Sequence, residues 1–251
     1  SIEAKLARTR GDDDKAIAIL EKVLPDLDEN RHEHFPFFFE MGQLYERKKD
    51  STRAFEFFSK GNYCQAQGPE AKIYDKAVFL DQIARYREGF TPELVKDWNK
   101  FKGAEPEQLQ PVFLVGFPRS GTTLLDQILT SHPDISVTEE RPVIHNLERQ
   151  IETQTQIKIP HALSALPDAK VPGVRKAFFE QHSHYGADIN CPVLVDKLPL
   201  NIMRVGTIHR LFPDAKFILA LRHPCDSVLS CFMQQFMLND AMVHFLDLED
   251  T

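Results

Sequence analysis

The sequence predicts a parallel α/β domain whose first turn is a P-loop-like anion cradle, preceded by an α-helical domain of paired helices. Three observations carry that expectation. From Pro111 onward, short apolar runs at 112–115, 135–137, 193–196 and 217–221 alternate with helical stretches, the pattern of a buried parallel sheet. Before Gly68-Pro69 the apolar residues recur instead at helical spacing. The first apolar run, Val112-Phe-Leu-Val-Gly116, feeds a glycine-bounded loop and then a helix opening near Gly121.

Residues 1–68 read as helical hairpins. Gly11-Asp12 marks a turn, followed by Ala16, Leu20 and Val23 on one face. Phe38, Met41, Gly42 and Tyr45 share a second face, Lys49-Asp50 turns the chain, and Ala54, Phe58 and Gly61 mark the returning helix. Bulky, small and aromatic residues at these offsets resemble a tetratricopeptide repeat, in which small residues let paired helices approach. One complete and one partial repeat are too few for a stable solenoid, so further repeats precede Ser1 or the next domain caps these. Phe35, Phe37, Phe38 and Phe39 read as repeat packing.

Residues 69–110 read as connecting helices and a linker. After the Gly68-Pro69 break, Ile73, Ala77, Leu80 and Ala84 predict a long helix ending near Gly89. Thr91-Pro92 reads as an N-cap with proline at the first helical position, on a helix carrying the sole tryptophan, Trp98. The polar stretch from Gly103 to Pro111 is the expected domain boundary. Residues 111–251 then form the α/β domain. Leu124, Leu125, Ile128 and Leu129 are the expected apolar stripe of its first helix. Gln150 to Pro160 reads as a helix end plus a loop. Lys170-Val-Pro-Gly173 reads as a second loop, leading into a helix that runs through about His184.

Composition narrows the partners. A formal charge of −7 argues against nonspecific nucleic-acid binding, so any basic site must be local. The 42% hydrophobic and 27% charged content is that of an ordinary globular protein. Cys64, Cys191, Cys225 and Cys231 show no C-x-x-C pair, and read as reduced, buried thiols in a reducing compartment, which favours the cytoplasm. No apolar run has the length of a membrane span and no signal peptide is visible, although a start at Ser1 allows an upstream segment to have been removed. His32-x-His34 and His182-x-His184 splay apart on a helix and make poor metal pairs, and no metal is expected.

The chemistry concentrates at the strand ends. Free N–H groups and the positive helix end converge after Gly116, which suits a phosphate-like oxyanion. The glycines have Walker A spacing, but Thr122 stands where that loop carries its lysine, and the charge sits inside the loop at Arg119. An arginine fork grips a terminal oxyanion without a metal. In an open α/β sheet ligands bind outside the carboxyl ends of the strands. The other three runs end at Glu139-Glu140, Asp196-Lys197 and Arg222, so loop, acids, lysine and arginine share one rim.

Pro118-Arg-Ser-Gly-Thr-Thr-Leu-Leu125 resembles the 5′-phosphosulfate loop of sulfotransferases that use 3′-phosphoadenosine 5′-phosphosulfate (PAPS). Similar motifs continue in order through Ser131-His-Pro-Asp134, Glu139-Glu140, Asp196-Lys-Leu-Pro199, Leu211-Phe-Pro-Asp-Ala-Lys-Phe217 and Arg222-His-Pro-Cys-Asp-Ser-Val-Leu-Ser230. Order and spacing are most similar to tyrosylprotein sulfotransferases and to bacterial sulfotransferases carrying tetratricopeptide repeats. The resemblance covers roughly residues 111 to 240.

That resemblance implies PAPS as cosubstrate, bound without a metal. It implies Arg119 and the N–H groups of Ser120, Gly121, Thr122 and Thr123 on the 5′-phosphosulfate, and Arg222 with Ser230 on the 3′-phosphate. It implies Lys197 as the stabiliser of charge on the bridging oxygen and Glu140 as general base, with Glu139 and then His145 as rivals. Arg141-Pro142 replaces the Thr-Arg of the relatives, which leaves no substrate role to carry over to that arginine. Asp196 either orients Lys197 or caps the next turn. The expected acceptor is tyrosine in a protein or peptide held by the helical repeats, with a carbohydrate or small phenol as the runner-up. A noncatalytic adaptor with a vestigial nucleotide domain is the rival class, and a P-loop kinase the third. The chain stops at Thr251 without the segments that close over the nucleotide in the relatives, so the α/β domain is expected to be C-terminally incomplete.

Overall fold

The computed structural model describes residues 2–96, 98 and 110–251. Its described residues form two compact units, Ser1–Leu80 with Pro224–Thr251, and Asp81–His223. The expected boundary at Gly103 to Pro111 lies almost wholly outside the described residues. The first division falls inside helix Lys76–Gly89.

The first unit is built on two helical hairpins, α1 (Ile2–Thr9) with α2 (Asp13–Glu21), and α3 (Phe35–Arg47) with α4 (Ser51–Ala66). The turns form as their residues dictate. Gly11 and Lys49 take positive φ values of 78° and 61°, and Asp12 and Asp50 cap the following helices, each accepting a backbone N–H at 3.1 Å. Between α3 and α4 the backbones approach until glycine is required. A Cβ on Gly42 would stand 2.8 Å from the Phe58 ring, and one on Gly61 2.8 Å from the Phe39 ring. Phe38, Phe39, Met41, Leu44 and Phe58 fill the interface. The chain's last residues belong to this unit too. Phe232, ending helix Pro224–Phe232, joins the core, and its carbonyl accepts from Asn62 Nδ2 at 2.8 Å. Cys225 is exposed, unlike the other three cysteines, because it lies in the first turn of that helix.

The second unit begins within α5 (Lys76–Gly89), which starts later than its apolar spacing predicts: Ile73 precedes it, and Ile73 and Leu80 are exposed. Only Tyr86 of α5 is buried, and it joins Phe90, Leu94 and Val95 against the core of the sheet. Thr91 caps α6 (Pro92–Val95), accepting from Leu94 N–H, and buried Trp98 lies beyond that helix.

Strands β1 (Val112–Gly116), β2 (Ile135–Glu139), β3 (Val193–Lys197) and β4 (Lys216–Ala220) pair in parallel in the order β2-β3-β1-β4. The register sets Thr138 beside Asp196, Glu139 beside Lys197, and Gly116 beside Ala220. Helices α7 (Thr122–Thr130), α8 (Val143–Thr155), α9 (His161–Ala165), α10 (Val171–His184) and α11 (Val205–Leu211) complete the unit. Phe113 of β1, Phe178 of α10 and Phe212 after α11 form the aromatic centre of its core. Val171-Pro-Gly173, expected as loop, is the first turn of α10, because proline at the start of a helix gives up an N–H that has no partner there. No helix among the described residues is long and apolar enough to cross a membrane.

The fit of the hairpin is testable. Gly42→Ala should destabilise the protein by about 1–3 kcal/mol through overpacking against Phe58. Chemical denaturation with an unchanged midpoint would show that the α3–α4 approach relaxes without cost.

Candidate active site at the carboxyl end of the sheet

The loop after β1 is shaped by close approach. A Cβ on Gly116 would fall 2.7 Å from both the Ala220 carbonyl and Ser120 Oγ, so only glycine lets β1 lie this close to β4 and seats the serine. Arg119 and Gly121 both take left-handed φ values, 66° and 97°. The Ser120 N–H closes the turn onto the Phe117 carbonyl at 3.2 Å, and is therefore engaged within the loop. The first α7 bond runs from Leu125 N–H to the Gly121 carbonyl at 3.1 Å. The N–H groups of Gly121, Thr122, Thr123 and Leu124 precede that bond and lack helical partners. Ser120 Oγ is buried without a hydrogen-bond partner among the described residues. A loop with one unsatisfied buried hydroxyl and a set of N–H donors at a positive helix end fits an anionic group. Arg222, at the end of β4, donates from Nη1 to the Arg119 carbonyl at 3.1 Å and so ties the fourth strand end to the loop.

Lys197 is the centre of the site. Its side chain is fully buried at the end of β3, and Nζ lies 2.9 Å from Glu140 Oε1, 3.0 Å from Asp126 Oδ2 and 3.1 Å from Glu139 Oε1. Glu139 ends β2 beside Lys197 in register, and the Glu140 N–H donates to the Lys197 carbonyl at 2.7 Å, with Glu140 at a φ of 49°. Both glutamate side chains are about half exposed, whereas that of Asp126 is 2% exposed. Burial by itself would lower the lysine's pKa. The carboxylates of Glu140, Asp126 and Glu139 outweigh it and hold the ammonium above its ordinary value.

The opposite face carries different chemistry, because side chains alternate along a strand. Asp196, beside Lys197, turns away from it. Its Oδ2 lies 3.3 Å from His182 Nε2 on α10 and its Oδ1 accepts from Asn201 Nδ2 at 3.2 Å, while His182 Nδ1 meets Thr138 Oγ1 at 2.9 Å. Burial pushes the Asp196 carboxyl up, against the effect of the His182 imidazole beside it. Asp196 therefore links His182 of α10 and the Asn201 side chain after β3 to the sheet, a role other than the two expected of it. A second buried cluster centres on Glu148, which accepts from Tyr86 Oη at 2.9 Å, Arg204 Nε at 3.0 Å and Thr207 Oγ1 at 2.6 Å. His145 Nδ1 lies 3.4 Å from Arg204 Nη2, at the edge of that cluster.

The structure thus brings Glu139, Glu140 and Lys197 into contact, and sets Arg119, Ser120, Gly121, Thr122 and Thr123 on one loop and helix start, with Arg222 bonded to that loop. Ser230 belongs to helix Pro224–Phe232 of the first unit. Arg141 stacks on the Tyr185 ring, 5.0 Å from its centroid. Half of the expected apolar stripe of α7 faces inward. Leu125 and Leu129 are half-buried, whereas Leu124 and Ile128 are 70% and 59% exposed, and the fully buried residues are Thr122 and Asp126. Asp126 is the site residue that pattern reading misses. Its signal was its position four residues after Thr122, on the same helix face as the loop's own threonine.

A family model described as the sulfotransferase family matches residues 111–250, more than half of the chain. An uncharacterized protein of Aquifex aeolicus is 29% identical over 238 residues, which cover 92% of this chain and 30% of that protein. Human protein-tyrosine sulfotransferase 1 is 34% identical over 123 residues, 47% of this chain and 33% of its own. Nodulation protein NoeE of Sinorhizobium fredii is 34% identical over 119 residues, 45% of this chain and 28% of its own. The chain spans about a third of the length of these curated relatives.

The Gly116 contact makes its own prediction. Gly116→Ala must push the Ala220 carbonyl or Ser120 aside, at about 1–3 kcal/mol. Equal denaturation curves for variant and parent would refute the close approach of β1 to β4.

Proposed function

We propose, because the chain belongs to the sulfotransferase family, that it moves a sulfuryl group from PAPS to an acceptor hydroxyl, with tyrosine of a protein or peptide as the favoured acceptor. The observation that carries this reading is a buried lysine held by carboxylates beside an anion loop, at one end of a parallel sheet. PAPS supplies the sulfuryl group and a phosphate leaving group. The residues present suit it: the unpartnered Ser120 hydroxyl, the N–H groups of Gly121 to Thr123 and the Arg119 guanidinium are donors for the 5′-phosphosulfate. Because the Ser120 N–H already serves the loop turn, this serine would contribute its hydroxyl. Arg222 and Ser230 are assigned to the 3′-phosphate.

Catalysis then rests on positioning and electrostatics. Lys197, kept charged, stabilises the negative charge that grows on the leaving oxygen. Glu140 accepts the proton of the acceptor hydroxyl as it attacks, and its half-exposed side chain lets an acceptor reach it. Glu139 has the same exposure and the same lysine contact, so it is the direct rival. His145 is a weaker candidate, since its contact is with Arg204. Support for a tyrosine acceptor comes from the protein-tyrosine sulfotransferases among the relatives, and the helical hairpins, read as tetratricopeptide-like, would offer a surface for a peptide. We assign the cytoplasm as its compartment on the reading of its cysteines as reduced thiols.

The deciding experiment incubates the protein with PAPS labelled in its sulfuryl sulfur and a mixed extract, then identifies what is labelled. Labelled protein supports tyrosine. A labelled glycan or metabolite overturns the acceptor, and nucleotide binding without any transfer overturns the activity in favour of an adaptor. Within an active enzyme, Lys197→Ala should cut kcat about 100–1,000-fold with little change in affinity for 3′-phosphoadenosine 5′-phosphate. Equal losses in both would remove Lys197 from the chemical step. Glu140→Gln should cost about 100-fold or more in kcat. Full activity in that variant, with loss in Glu139→Gln, would transfer the role to Glu139.

A further inference from the structure

Three carboxylates face one ammonium, and they are not equivalent. Glu139 and Glu140 reach Lys197 from the end of β2 with side chains 55% exposed, so solvent screens their hold and an arriving anion can replace them. Asp126 reaches it from α7 with a side chain 2% exposed, and Gln127 Nε2 donates to its other oxygen at 3.1 Å. A fully buried ammonium needs a permanent counter-charge, and only Asp126 can be one. Asp126 also sits one helical turn after Thr122, on the helix whose first residues form the anion loop. Loop and lysine are thereby referred to a single rigid element.

We propose that Asp126 is the positioning residue for Lys197, holding the ammonium at the end of β3 when an anionic ligand draws Glu139 and Glu140 away. The part of this that concerns turnover rests on the sulfuryl-transfer reading, whereas the hold on the lysine does not. Asp126 takes no proton and touches no substrate in this scheme. Its hold releases Glu140 from the lysine, so that the glutamate is available to an acceptor hydroxyl. Asp126, Glu139 and Glu140 are the carboxylates within 4 Å of the ammonium among the described residues. Removing Asp126 leaves the buried lysine with only its screened partners, and burial then lowers its pKa.

The test reads Lys197 directly. In protein carrying 15N-lysine, with Lys197→Arg to assign the signal, the ammonium of Asp126→Asn should lose its proton at lower pH than in the parent. The Glu139→Gln, Glu140→Gln pair should change that titration much less in the presence of 3′-phosphoadenosine 5′-phosphate. If Asp126→Asn leaves the titration unchanged while the glutamine pair shifts it, the proposal falls. In assays of transfer, Asp126→Asn should lower kcat on the order of 100-fold with nucleotide affinity retained, its high-pH limb should move to lower pH, and Asp126→Glu should recover part of the rate. Parent protein that transfers nothing would refute the activity, while the lysine titration would still decide the role of Asp126. Should Asp126→Asn fail to fold, the added Lys197→Met substitution should restore folding by removing the stranded charge, and no recovery would overturn the pairing.

Discussion

The buried ammonium of Lys197 constrains everything around it. Taking a charge out of water costs several kcal/mol even after relaxation, so the lysine can be buried only where opposite charges are supplied. Strand β3 ends on the lysine, β2 ends on two glutamates in matching register, and α7 turns its one acid inward to meet them. That requirement explains the inward face of α7. Pairing the lysine buries Asp126, while Leu125 and Leu129 are half-buried and Leu124 and Ile128 are left exposed. Electrostatic need overrides the apolar pattern.

A second constraint divides the sheet. Because the side chains of a strand alternate, one residue of β3 faces the rim beside the anion loop and the next serves the scaffold. Lys197 takes the first role, and Asp196 with His182, Thr138 and Asn201 takes the second. The two clusters lie on opposite faces of the sheet, and the buried polar one ties β3 to α10 while the exposed carboxylates of the other can move. Arg222, bonded to the Arg119 carbonyl, extends the rigid frame to the loop.

Much of this was legible because backbone rules speak locally. The four strands fall within a residue or two of the apolar runs, and the turns at Gly11-Asp12 and Lys49-Asp50 carry the caps their residues imply. The convergence of Arg119, Glu139, Glu140, Lys197 and Arg222 on one rim followed from a topological rule applied to strand ends. What escaped was decided by long-range pairing. Asp126 looked like the solvent side of a helix because its partner is 71 residues away in β3. The Glu148 cluster joins α8 to Tyr86 of α5 and to Arg204 and Thr207 at the start of α11, three separate segments, none of which announces the others. Phe232 packs into the core of the helical hairpins, a contact that no spacing within residues 224–251 could reveal.

The charge balance of the rim also orders events at it. Three carboxylates and one lysine sum to −2, a poor reception for an anion, while the helix start and Arg119 attract one. An anionic ligand seated on the loop therefore favours any conformation in which Glu139 and Glu140 swing outward, since their side chains already lie half in water. The same movement would carry a carboxylate toward solvent, the side from which the proposed acceptor would come. The lysine's field would then be directed at the ligand by the one acid that cannot follow. Binding at the loop and release of the proposed base would be a single electrostatic adjustment.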